Sequence, residues 1–131
     1  MGIKLGLIFA VGITLGVVGS QLLRAQGPLE RSEVLKTDVA GMEGQEAHMW
    51  VAEIAPGAAT GRHSHPTARF VYVMEGSVML EVDGKSPQIF KAGEGVQEVP
   101  DVVHNFRNAS ATVPAKALGF QIAGKGQPLQ Y

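Results

Sequence analysis

The residues with the most chemistry in this sequence are His63-Ser64-His65-Pro66. The chain has four histidines, and two of them stand one residue apart. On an extended strand residues i and i+2 point to the same side, so both imidazoles can converge on one point. Neutral imidazole is the commonest protein ligand for transition metals. The run Phe70-Val71-Tyr72-Val73-Met74 is β-branched and aromatic, and Glu75-Gly76 ends it as a turn would. A two-nitrogen fork therefore sits at the entrance to a strand. His-x-His pairs also occur on surfaces without a metal, so the other ligands must come from elsewhere in the chain. His104, about forty residues on, lies on another strand and offers a third nitrogen.

The elements that must position these side chains are short strands. Ala47–Ala55 is extended and ends at Pro56-Gly57. A small polar loop, residues 58–62, then delivers the chain to His63. Phe70–Met74 and Ser77–Val82 follow, and Asp83-Gly84 after them predicts a type I′ hairpin turn with positive φ at both positions. Pro87–Lys91, Val96–Val99, Val102–Arg107 and Ala115–Ile122 complete the set, divided by Ala92-Gly93, Pro100-Asp101 and Asn108-Ala109-Ser110. Strand-length runs at such intervals predict an all-β sandwich or small antiparallel barrel. Barrel mouths are where ligands bind.

The chain has 131 residues, with 17 glycines, 7 prolines, no cysteine and a net charge of -1. That length fits one domain plus a tail or anchor. The balance of charge, with no basic stripe, argues against a nucleic-acid partner. The missing cysteine excludes disulfides, thiolate ligands and a cysteine nucleophile.

Residues 1–25 read differently from the rest. Lys4 precedes an apolar run from Leu5 to Val18. One reading is a secretory signal cleaved after small residues, at Val18-Gly19-Ser20 or Leu23-Arg24-Ala25. The other is an uncleaved helix from Ile3 to Leu23, close to the ~20 residues that span a bilayer. Gly12 and Gly16 make a GxxxG spacing suited to close helix approach. Either reading makes the remainder extracytoplasmic, on the periplasmic side, anchored or secreted. Residues 26–46 are a polar lead-in, in which Leu29–Leu35 could be a short strand or a turn of helix. Residues 47–123 form the barrel, and residues 124–131 a loose tail.

The spacing of histidines and turns resembles the cupin family. Its first motif reads here as Gly57, His63-Ser64-His65-Pro66 and Phe70–Gly76. Its second reads as Gly93-Glu94-Gly95, Pro100, His104 and Asn108. The resemblance implies a cupin or jelly-roll barrel, often a homo-oligomer, with His63, His65 and His104 as ligands of a divalent transition metal such as zinc, iron, copper or nickel. The family's glutamate ligand falls where this chain has Arg69, which stays protonated and cannot ligate a cation. Three outcomes stay open. Three histidines suffice for the metal; or Arg69 holds an anionic ligand in the mouth, with or without metal; or the barrel is a binding or assembly module whose histidines are held by hydrogen bonds.

Other residues carry less. His48 is a reserve ligand if its strand faces the interior. Glu94 and Glu98 read as solvated loop carboxylates, Trp50 and Phe120 as core. Asn108-Ala109-Ser110 matches a glycosylation sequon, which the turn alone explains. No serine-nucleophile motif and no phosphate-cradling loop is present. Tyr72 should face away from Arg69 on a regular strand. With no proton-transfer group beside the histidines, the expectation is an exported metal- or ligand-binding cupin with no assigned reaction. The alternatives are a metal-dependent oxygenase or isomerase and a membrane-tethered accessory subunit.

Overall fold

Alternating apolar positions and glycine turns organise the chain into two facing antiparallel sheets. The computed structural model describes residues 29–131. The N-terminal signal or anchor helix expected over residues 1–25 lies outside them. Eight strands follow in order: β1 Glu30–Asp38, β2 Gln45–Ile54, β3 Arg69–Glu75, β4 Ser77–Val82, β5 Gln88–Lys91, β6 Gly95–Glu98, β7 His104–Asn108 and β8 Ala115–Gly124. Five form one sheet in the order β1-β2-β8-β3-β6, and three form the other in the order β5-β4-β7. Among the described residues there is no helix.

The lead-in is a strand rather than a turn of helix. All nine residues of β1 are exposed, so it has no buried face to announce itself. Its order comes from the ladder with β2, from Glu30 opposite Glu53 to Asp38 opposite Glu46, with a bulge between Glu33 and Leu35.

The core fills the space between the sheets. Ala52, Ile54, Val71, Val73, Val78, Leu80, Phe106, Ala115 and Ala117 form one buried cluster. Val73 and Val78 are fully buried, and removing such a side chain from water is worth about 1.5–3 kcal/mol. The strict alternation of β8, buried at every odd position from Ala115 to Ala123, sends Phe120 to the outer face. There it lies opposite Phe70 of β3, with ring centroids 6.3 Å apart, not in the core.

The turn after β4 also differs from the hairpin expected. Lys85 N–H donates to the Val82 carbonyl, and Gly84 has a φ of 77°. Asp83 is not among the residues with positive φ. A single left-handed residue at the third position suits a type II rather than a type I′ turn.

Successive rows across the larger sheet explain why its mouth is polar above an apolar floor. The register aligns Glu98, Arg69, Gln121 and His48 in one row, and Val96, Val71, Gly119 and Trp50 in the next. Trp50 fits because position 119 has no side chain. A Cβ there would come within 2.3–2.6 Å of the indole ring. Gly119→Ala is therefore expected to displace Trp50 and cost about 1–3 kcal/mol of stability, the usual range for overpacking. Denaturant unfolding followed by the fluorescence of Trp50, the chain's single tryptophan, checks this.

Candidate metal centre

Backbone pairing brings the three histidines together. His63 and His104 face each other as a hydrogen-bonded antiparallel pair, each N–H donating to the other's carbonyl at 2.9 Å. Their side chains thus leave the backbone on the same side, with ring centroids 4.5 Å apart. His65, two residues beyond His63, joins them, its centroid 4.8 Å from His63 and 4.7 Å from His104. Its loop is fixed on two sides. Asp101 N–H donates to the His65 carbonyl at 2.8 Å, and Ser64 pairs with Tyr131 through both backbone groups. Asp101 makes its bond from a φ of 59°, a region few side chains other than Asn and Asp adopt.

Each imidazole is oriented by its outer nitrogen. Nδ1 of His63 lies 2.9 Å from the Gly61 carbonyl, Nδ1 of His104 2.9 Å from the Val102 carbonyl, and Nδ1 of His65 3.3 Å from the Leu129 carbonyl. A carbonyl only accepts, so in all three rings Nδ1 carries the hydrogen. The three Nε2 lone pairs are left to face one another. Nε2 of His65 and Nε2 of His104 are 3.0 Å apart, and the three ligand atoms all lie within 4.8 Å of one another.

Glu98 closes the group. Its Oε2 is 3.0 Å from Nε2 of His65, and its Oε1 is 3.6 Å from Nε2 of His104. Oε2 has an oriented hydrogen-bond donor nowhere among the described residues, and neither does Nε2 of His63; both atoms are buried. Glu98 is 3% exposed, His65 0% and His104 2%. Buried polar atoms are nearly always paired. With the rings neutral, acceptors converge here, and such a set is satisfied by a positive centre, either a shared proton or a metal ion.

Electrostatics agree. Burial pushes the Glu98 carboxyl up, but in the metal-free protein the hydrogen bonds it accepts when a proton sits on the facing Nε2 atoms of His104 and His65, with the nearby positive charges, outweigh it and pull it down to about 2. Burial pushes the His63 imidazole down, so it stays neutral more readily than a free histidine. Burial also opposes charge on His104, but hydrogen bonding to Glu98 and to the Val102 carbonyl raises its pKa above the ordinary value.

The donor set fits a metal ion. Metal–imidazole bonds of about 2.0–2.1 Å leave two ligand atoms roughly 3 Å apart when they bind at right angles. Backbone carbonyls on the outer nitrogens are the partners that hold metal-binding histidines in the required tautomer.

Of the residues singled out in the sequence, His63, His65 and His104 come together as one group. His48 does not join them. It faces its strand neighbour Glu46, with Nε2 3.0 Å from the carboxylate. Arg69 points inward and is buried. Its Nε and Nη2 donate to Gln121 Oε1 at 3.1 and 3.0 Å, and Nε lies 3.9 Å from Glu98 Oε2. Burial lowers its pKa to about 10, which leaves it charged at neutral pH. Tyr72 faces outward, half exposed. Glu98 is the residue that sequence reasoning missed. Gln121 is a second, since it holds Arg69, Thr67 and the Leu129 carbonyl together.

Comparison with known proteins places this arrangement. The domain description "Cupin domain" matches residues 50–120. Protein SchB of Streptomyces halstedii is 38% identical over 61 residues, which are 46% of this chain and 44% of that protein, so the match spans under half of either. Among solved structures, a cupin-like protein from Thermotoga maritima superimposes with a TM-score of 0.60 at 24% identity, covering 76% of this chain and 77% of the other. An uncharacterized conserved protein with a double-stranded β-helix domain, from Klebsiella pneumoniae, does so with a TM-score of 0.61 at 22% identity, covering 80% and 84%. At those identities the structural likeness speaks for the fold. The matched residues hold the strands from Trp50 to Phe120 and all three clustered histidines, and the chain belongs to the cupin family.

Proposed function

We propose that this chain is an extracytoplasmic cupin that holds a divalent transition metal in its barrel mouth, with His63, His65, His104 and Glu98 as ligands. One observation carries the reading. Three Nδ1–H groups are tied to backbone carbonyls, while His63 Nε2 and Glu98 Oε2 are buried at the meeting point without partners. Three imidazoles and a carboxylate suit zinc, iron, copper or nickel. When bound, such an ion supplies Lewis-acid or redox chemistry. The residues of the chain hold the three rings in one tautomer, keep Glu98 ionised and shield the site from bulk water. Elemental analysis of the purified full chain tests the reading: about one transition metal per chain is expected, and a protein recovered and reconstituted without any would reject it.

The extracytoplasmic placement rests on the apolar run Leu5–Val18, which has no polar face. A C-terminal reporter active only outside the cytoplasm checks it, and activity inside the cell would count against it.

A second copy of the chain is the partner we expect. On a solvated antiparallel sheet the outer face alternates to polar residues. Here Phe70, Tyr72 and Met74 of β3 stand exposed on that face. Phe120 packs against Phe70, and Leu118 lies opposite Tyr72. Pairing of this face with its own copy would cover it, as isologous dimers do. Sedimentation of the chain is expected to show a dimer that Phe70→Glu shifts toward monomer, and a wild-type monomer at high concentration would reject the pairing.

A further inference from the structure

Two guanidinium groups meet at the barrel mouth where the metal centre does not use them. Arg31 of β1 stands opposite Ala52 of β2, and Arg69 stands on β3. Both lie within cation–π range of Trp50, at 5.9 Å and 4.8 Å from the ring centroid. Their Nη1 atoms converge on a single oxygen, Oε1 of Gln130, 3.4 Å from each. Arg69 has Glu98 beside it at 3.9 Å. Among the described residues no carboxylate comes within ion-pair distance of Arg31.

One neutral amide oxygen is thus shared by two cations, at the long end of hydrogen-bond distance. That is a poor match for the Arg31 fork and for Nη1 of Arg69, whose Nε and Nη2 are already held by Gln121 Oε1, because a guanidinium edge suits anionic oxygens. The oxygen belongs to the side chain of Gln130, which can swing aside while the backbone bonds of Leu129 and Tyr131 stay in place. Around it lies a cavity of about 150 Å³ lined by Arg31, Trp50, Arg69, Leu129 and Gln130. Below, a narrower recess of about 20 Å³ shares Arg31, Trp50 and Arg69 and reaches His63 and Glu98. The outer cavity takes a molecule of a few carbon atoms. The recess admits about one water-sized group.

We propose that this cavity binds the carboxylate of a small organic acid. Arg31 and Arg69 take the carboxylate oxygens in place of Gln130, and Trp50 forms the flat apolar wall. The acid's other polar end is directed down the recess to the histidines, which rests on the metal centre proposed above; the carboxylate site itself does not.

Trp50 is the chain's only tryptophan, so its fluorescence reports on the cavity directly. Malonate is the probe, titrated into the metal-stripped full chain in detergent at fixed ionic strength. A saturable change is expected, with inorganic phosphate binding several-fold more weakly. Arg31 is exposed on an edge strand, so Arg31→Gln should fold normally and weaken malonate binding about ten-fold or more, in keeping with loss of a charge-assisted bidentate contact. Arg62, also exposed and paired with Asp83, serves as the control, and Arg62→Gln should change nothing. The proposal is overturned if malonate gives no saturable signal, if the two variants behave alike, or if phosphate binds as tightly. Zinc titration of the same proteins keeps the two readings apart. A chain that binds malonate but no zinc rejects the metal centre alone, and one that binds zinc but no malonate rejects the carboxylate site alone.

Discussion

Replacing His104 with alanine is expected to lower zinc affinity by well over 100-fold while the fold survives. Loss of a partner that merely orients a ligand costs about 10–100-fold, so loss of a ligand exceeds that. The backbone pair between His63 and His104 uses only main-chain groups, and alanine keeps it. Competition against a chromophoric chelator measures the affinity. A variant that binds zinc as wild type does would remove His104 from the site.

Glu98→Gln is expected to act twice. First, it exchanges an anionic ligand for a neutral amide, and zinc affinity should fall about 10–100-fold, on the scale known for perturbed metal shells. Second, in the metal-free protein it removes the carboxylate that accepts the proton-bearing imidazole of His104 and balances the charge of Arg69. Hydrogen bonds to charged groups are worth about 1.5–3 kcal/mol, and metal-free stability should fall by that order near neutral pH. The pH dependence carries a sign. The carboxyl of Glu98 ionises at about 2 in the folded chain against an ordinary 4.5. Its contribution is therefore complete above 4.5 and is lost as pH falls towards 2. Wild type should lose stability through that window, and Glu98→Gln should lack that part of the acid limb. Metal binding has its own slope. Histidine ligands must be deprotonated, and His104 holds its proton to higher pH than a free histidine. Zinc affinity should therefore weaken steadily as pH falls below neutrality. Unfolding curves at several pH values, with and without zinc, report both effects.

These residues also show what the sequence makes legible. The three histidines could be found because their signal is chemical: a rare residue type, a spacing of two on extended chain, and a third copy beyond a Pro turn. The core strands could be found because β-branched runs end at glycines. Glu98 could not be found by composition, since a carboxylate two residues before Pro100 looks like a loop. Its signal was the alternation of β6. Val96 and Glu98 share one face, and Val96 is apolar, so Glu98 must point inward with it. Arg69 looked like a lost ligand. The register explains it instead, because Arg69 is the cross-strand partner of Glu98, and an inward carboxylate in one row is balanced by an inward guanidinium in the same row. β1 was illegible for the opposite reason. It is exposed along its whole length and is ordered only by its neighbour. The role of the tail was hidden too, because Leu129 acts through its carbonyl, which no side-chain pattern records.

The most direct test of the metal centre is X-ray absorption at the zinc edge of the zinc-loaded full chain. The account predicts a first shell of nitrogen and oxygen at about 2.0–2.1 Å, with the multiple-scattering signature of three imidazoles, reduced to two in His104→Ala. A wild-type spectrum with one imidazole or none would contradict it.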